Sequence, residues 1–129
     1  MKVKVGAEDT AGAFTLIEGT MAPGHTGPMP HTHVAHDETF FVISGALRFR
    51  VGAGHRLATS GETVFAGRGL AHGFGNPTEM PARYLVALTP SGYEVYFERL
   101  AELIRREGAM PSRERLVALM AEHGTFPAE

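Results

Sequence analysis

Cysteine is absent from the 129 residues. That excludes disulfides, thiolate metal sites and a cysteine nucleophile, so any metal must be held by histidine and carboxylate. No apolar stretch approaches the roughly 20 residues that a membrane-spanning helix needs. There is no excess of positive charge: 12 Lys and Arg stand against 14 Asp and Glu, for a net charge of −2. A nucleic-acid or anionic-membrane surface therefore has no support, and no such partner is expected. The charged first ten residues lack the apolar core of a secretory signal, so the expected address is the cytoplasm.

The chain does hold 16 glycines and 8 prolines, which suits many short strands joined by tight turns. Hydrophobic residues make up 43%, enough for one core in a chain of single-domain length. Strands are expected at Phe14–Met21, Thr39–Ile43, Ala46–Val51, His55–Thr59, Glu62–Ala66, Ala71–Gly75 and Ala82–Thr89, with an edge strand possible at Met1–Val5. Thr39–Ile43 is apolar on both faces and should be covered on both. In Ala46–Val51 the alternation is clean, with Leu47, Phe49 and Val51 on one face and Arg48 and Arg50 on the other. Such strands predict an antiparallel sandwich or barrel over residues 1–90.

After Pro90 the period changes. Tyr93, Phe97, Leu100 and Ile104 recur at helical spacing, with Gly108 as the stop. Ser112 is the expected N-cap of a second helix whose apolar stripe is Leu116, Leu119 and Met120, closed by Gly124. Residues 91–129 thus read as a helical extension packed on the outside of the barrel, within one domain.

The chemistry concentrates in Pro30-His31-Thr32-His33-Val34-Ala35-His36-Asp37-Glu38. On an extended strand His31 and His33 share a face, and Glu38 can join them after a small bend. Two imidazoles and a carboxylate on one face make the beginnings of a divalent-metal site. A third imidazole is available from His72, at the start of a strand. Three imidazoles and a carboxylate leave open positions on an octahedral ion. His36 and Asp37 are expected at the surface, and His55 and His123 without a special role.

These residues resemble the cupin superfamily. Its first motif, G-(X)5-H-X-H-(X)4-E-(X)6-G, is matched by His31, His33, Glu38 and Gly45, with His25 standing where the leading glycine belongs. Its second, G-(X)5-P-X-G-(X)2-H-(X)3-N, is matched by Gly61, Gly69, His72 and Asn76, with Gly67 at the proline position. The resemblance implies an all-β, jelly-roll β-barrel with two short C-terminal α-helices. It also implies one divalent transition metal (Fe, Mn, Ni, Co, Cu or Zn) on His31, His33, Glu38 and His72.

FTLIEGTM before the first motif, DETFFVISG across it and the Thr-Pro-x-Gly-Tyr-Glu exit at residues 89–94 further resemble small quercetin dioxygenase-like cupins. That finer likeness implies a metal-dependent dioxygenase acting on a small aromatic or enol substrate such as a flavonol. Glu38 would be both ligand and proton acceptor. A non-catalytic small-molecule binder and a metal-dependent isomerase or cyclase are the alternatives. His25, Phe40, Phe49 and Phe74 are candidates for the substrate pocket, and Phe65, Leu85 and Ala87 for core or pocket lining. If Phe40 and Val42 face inward, Phe41 and Ile43 need a cover, either the C-terminal helices or a second copy in a homodimer.

Overall fold

The structure, a computed structural model, describes residues 1–128. Ten strands form two five-stranded antiparallel sheets. The strands are β1 (Lys2–Val5), β2 (Thr15–Met21), β3 (His31–His33), β4 (Asp37–Ser44), β5 (Ala46–Val51), β6 (Gly54–Thr59), β7 (Thr63–Ala66), β8 (His72–Gly75), β9 (Ala82–Thr89) and β10 (Thr125–Pro127). The helices are α1 (Ala7–Thr10), α2 (Glu94–Glu107) and α3 (Arg113–Glu122). One sheet runs β1-β2-β9-β4-β7 and the other β10-β3-β8-β5-β6. Of the nine pairs of strands consecutive in sequence, only β1/β2 and β5/β6 share a sheet and the other seven cross between sheets, which is the jelly-roll arrangement.

The core lies between the sheets, where Ile17, Val42, Leu47, Phe49, Ala58 and Leu88 are almost wholly buried. Alternation explains this for β5, where Leu47 and Phe49 point in and Arg48 points out. It fails as a guide on β7 and β9. There Val64, Ala66, Val86 and Leu88 face the core, while Phe65 is 60% exposed and Leu85 and Ala87 are half-buried on the outer face. Phe65, Leu85 and Ala87 are therefore not core residues. An all-apolar run carries no polar residue to mark its outward side.

The double cover expected for β4 is likewise missing, since Phe41 is 39% exposed. The C-terminal helices lie elsewhere. Helix α3 packs on β10, and β10 pairs with β3, Thr125 opposite His33. The extension therefore re-enters the second sheet, and its helices wall the barrel mouth instead of coating its outside. Ser112 does cap α3, its hydroxyl accepting the Arg115 N–H at 3.3 Å.

Two motif residues are structural. Asn76 donates to the carbonyls of Met21 (3.1 Å) and Met80 (2.7 Å) and accepts from the Thr78 N–H (2.9 Å), so one buried side chain ties three turns together. Gly45, between β4 and β5, has φ +79°, and a Cβ there would lie 2.6 Å from the Pro81 carbonyl oxygen. Gly45→Ala meets both a disfavoured backbone and a clash with main chain. We expect a loss of about 2 kcal/mol or more in urea unfolding, and a loss under about 0.5 kcal/mol would contradict this close approach.

Candidate metal centre

Four elements bring five side chains to one end of the barrel. His31 and His33 come from β3, Glu38 from β4, His72 from β8, and His36 from the turn before β4. All five are buried. Because β3 and β8 pair with His31 opposite His72, two imidazoles meet across the ladder with ring centres 4.5 Å apart. The His31 and His33 rings are 4.6 Å apart, as i and i+2 on one face require. Donor atoms of His31, His33 and His72 lie within 4.8 Å of one another, and so do those of His33, His36 and Glu38.

His36 is the residue that the sequence reading misplaced. It is 4% exposed, not at the surface, and its Nε2–H donates to Glu38 Oε2 at 2.9 Å. The signal was present, because His36 is two residues before Glu38 and extended backbone puts i and i+2 on the same side. Asp37, between them, does point away, and accepts from the Arg68 backbone N–H at 2.7 Å and its guanidinium at 3.0 Å.

The hydrogen bonds fix which ring nitrogens are available. His31 Nδ1 is 2.7 Å from the Met29 carbonyl, which can only accept, so Nδ1 carries the proton and Nε2 the lone pair of the neutral ring. Burial lowers the His31 pKa to about 4, partly offset by that hydrogen bond. The ring is therefore in its ligand form at neutral pH. His33 Nδ1 bonds Thr125 Oγ1 at 2.8 Å, and the Tyr93 ring packs edge-on at 4.7 Å.

Glu38 is pulled two ways. Burial disfavours its charge, but the contacts from His33, His36 and His72 outweigh burial and hold its carboxyl well below the usual range. It stands as an anion, with His72 Nε2 3.2 Å from Oε1 and His33 Nε2 3.1 Å from Oε2. Among the described residues, His72 Nδ1 is buried with no hydrogen-bond partner, and His33 Nε2, though 3.1 Å from Glu38 Oε2, makes no hydrogen bond to it. Buried polar atoms left unpaired cost about 1–3 kcal/mol each. Imidazoles gathered around an anionic carboxylate, with ring nitrogen left over, fit a divalent transition metal.

The cluster forms one end of a cavity of about 420 Å³. Met21, Phe40, Phe74, Val86 and Leu88 line it from the strands, and Tyr96, Phe97, Leu100, Leu116 and Met120 from the helices. His25 also reaches it. Phe49 does not, lying behind Phe74 with the rings stacked at 5.4 Å, so this candidate is core. Tyr84, unnoticed in the sequence, lies across Gly19, where a Cβ would sit 2.4 Å from the end of its ring. Burial and then the Glu38 charge push its pKa up to about 12, so the phenol stays a donor.

Residues 17–88 match the model of the Cupin domain family, and the chain belongs to that family. No curated protein sequence matches it. Many solved structures share the fold. An uncharacterised conserved protein with a double-stranded β-helix domain from Klebsiella pneumoniae is 21% identical, with TM-score 0.60, over 70% of this chain and 75% of that one. A sugar phosphate isomerase of the cupin superfamily from Silicibacter pomeroyi is 27% identical, with TM-score 0.57, over 67% of this chain and 57% of that one. A recombinant oxalate oxidase is 22% identical, with TM-score 0.59, over 68% of this chain and 49% of that one.

Thr125→Val keeps the shape of the side chain but removes the group that orients His33. We expect metal affinity to fall about 10–100-fold, read by competition with a chelating dye. Unchanged affinity would mean that Tyr93 packing alone sets the ring.

Proposed function

We propose that the chain is a metal-dependent dioxygenase acting on a small, apolar aromatic or enol compound of the flavonol kind. The observation that supports this most is the lining of the 420 Å³ cavity. Apart from His25, Tyr84 and the histidine–glutamate end, its described walls are almost wholly apolar, and no Lys or Arg is among them. A phosphate group held away from the metal end would meet no Lys or Arg in such walls, at a cost of several kcal/mol. An aromatic enol has one acidic oxygen for the polar end and a ring for the rest.

In this reading His31, His33, His72 and Glu38 hold the ion. Bound there, a redox-active divalent metal supplies Lewis acidity toward an enol oxygen and a path for electrons between substrate and dioxygen. Phe40, Phe74, Val86 and Leu88 grip the ring and keep water out. Tyr84 offers a hydroxyl to a polar substituent. Glu38 accepts the enol proton, but with its pKa held low it does so only as its histidine contacts loosen on substrate entry. His36 keeps hold of Oε2 meanwhile, so the carboxylate swings about a fixed point.

The test is oxygen uptake with flavonols and simpler enols after reconstitution with Fe, Mn, Co or Ni. Uptake coupled to loss of substrate absorbance is expected with at least one metal. Tight binding without uptake for every metal would replace the dioxygenase with a binding protein, and turnover without oxygen would replace it with an isomerase or cyclase.

A further inference from the structure

The outer face of the second sheet carries a separate feature. Strand β5 presents Arg48 and Arg50 there, and across β8 their partners are Gly75 and Gly73, which have no side chains to fill the surface. On the other side β6 places His55 opposite Arg50. The loop of residues 22–30 passes over the glycines: a Cβ on Gly75 would lie 2.9 Å from the Thr26 carbonyl oxygen, and one on Gly73 3.4 Å from Pro30 Cα. Between loop and strands is a solvent-open cleft of about 520 Å³, with His25, Thr26 and Pro28 on one wall and Arg48, Arg50 and His55 on the other.

The charge of this cleft is unlike the rest of the surface. Among its described lining residues there is no Asp or Glu. Six other arginines, Arg56, Arg68, Arg83, Arg99, Arg105 and Arg115, each hold a carboxylate, while Arg106 and Arg113 on the C-terminal helices hold none among the described residues. Arg48 has no hydrogen bond or ion pair with any described residue. Arg50 has partners of its own, its Nε donating to the Gly52 carbonyl at 3.4 Å, and the inference does not depend on it. His25 Nδ1 accepts the Gly27 N–H at 2.9 Å, so in the neutral ring Nε2–H is the donor. A concave site with a planar, unpaired guanidinium, a backed imidazole donor and no acid is built for an oxyanion.

We propose that this cleft binds a small anion bearing a phosphate or carboxylate group, with Arg48 as the main contact and His25 and His55 beside it. The site is distinct from the metal centre and does not rest on the dioxygenase reading. It touches that centre through the loop, because His25 and Pro28 line both the cleft and the barrel cavity. An anion bound here holds the loop at the cavity mouth.

The test is a titration of the full chain with sodium phosphate, and separately with sodium succinate, at constant ionic strength, followed by amide and guanidinium NMR shifts. Saturable shifts are expected at Gly73, Gly75 and Arg48, and Arg48→Gln should weaken binding about tenfold, as loss of a charged hydrogen bond implies. Arg48 is exposed, so an unchanged thermal midpoint of the variant verifies its fold. Tighter binding of phosphate assigns a phosphorylated ligand, and tighter binding of succinate a carboxylated one. Shifts that never saturate, or saturable binding that Arg48→Gln leaves intact, would overturn the proposal. Retention of the shifts in His31→Ala separates the cleft from anion binding at the metal.

Discussion

His31→Ala is expected to abolish divalent-metal binding at the proposed site and to leave the barrel folded. His31 does not bond Glu38, so its removal keeps the contacts of His33, His36 and His72 with that carboxylate. What disappears is a ring already neutral and desolvated, held in place through the Met29 carbonyl. The apolar burial around it has been met on folding, so the ring binds a cation without first giving up a proton. We expect affinity to drop by about 100-fold or more, beyond the 10–100-fold of losing a residue that only orients a ligand. Elemental analysis after dialysis should find little metal. Unfolding of the metal-free variant should shift by only about 1 kcal/mol, the worth of one hydrogen bond. Stoichiometric metal in His31→Ala would move the ion to the other group, His33, His36 and Glu38.

Phe49→Ala has the opposite profile. Phe49 is 1% exposed, stacked on Phe74 and 5.0 Å from Phe40, with no face toward the cavity. Truncation removes a whole ring from a close-packed interior, and we expect a loss of about 3–5 kcal/mol in urea unfolding. That is a large share of the 5–15 kcal/mol of a typical domain. Phe74→Ala opens into the cavity, whose walls are already unfilled, and should cost clearly less. Equal losses would mean that Phe74 is as much core as Phe49.

Glu38, five residues beyond His33 and in the other sheet, joins the histidines only through the bend between β3 and β4, whereas the His31–His33 spacing is legible because residues two apart on extended chain share a face. The same geometry places His36 beside Glu38, so its role lay within reach of strand parity. The face assignments of β7 and β9 were out of reach. Thr63–Ala66 and Tyr84–Leu88 mix large apolar residues on both sides, so no polar alternation separates Phe65 from Val64 or Leu85 from Val86. Nor does Thr-Phe-Pro at 125–127 announce a strand. Its three residues have no period, and its pairing with β3 is a main-chain contact across some 90 positions of sequence.

By itself, then, the order of residues determined the family, the jelly-roll class and which histidines and glutamate are candidates to gather, since each is written in motif spacing and in the balance of turns and apolar runs. Only the tertiary structure decided that the C-terminal helices wall the cavity, that Thr125 and Tyr93 hold His33, and that the outer cleft gathers Arg48 with His25 and His55. Those contacts join segments far apart in sequence, and which of them form depends on how two sheets close on one another.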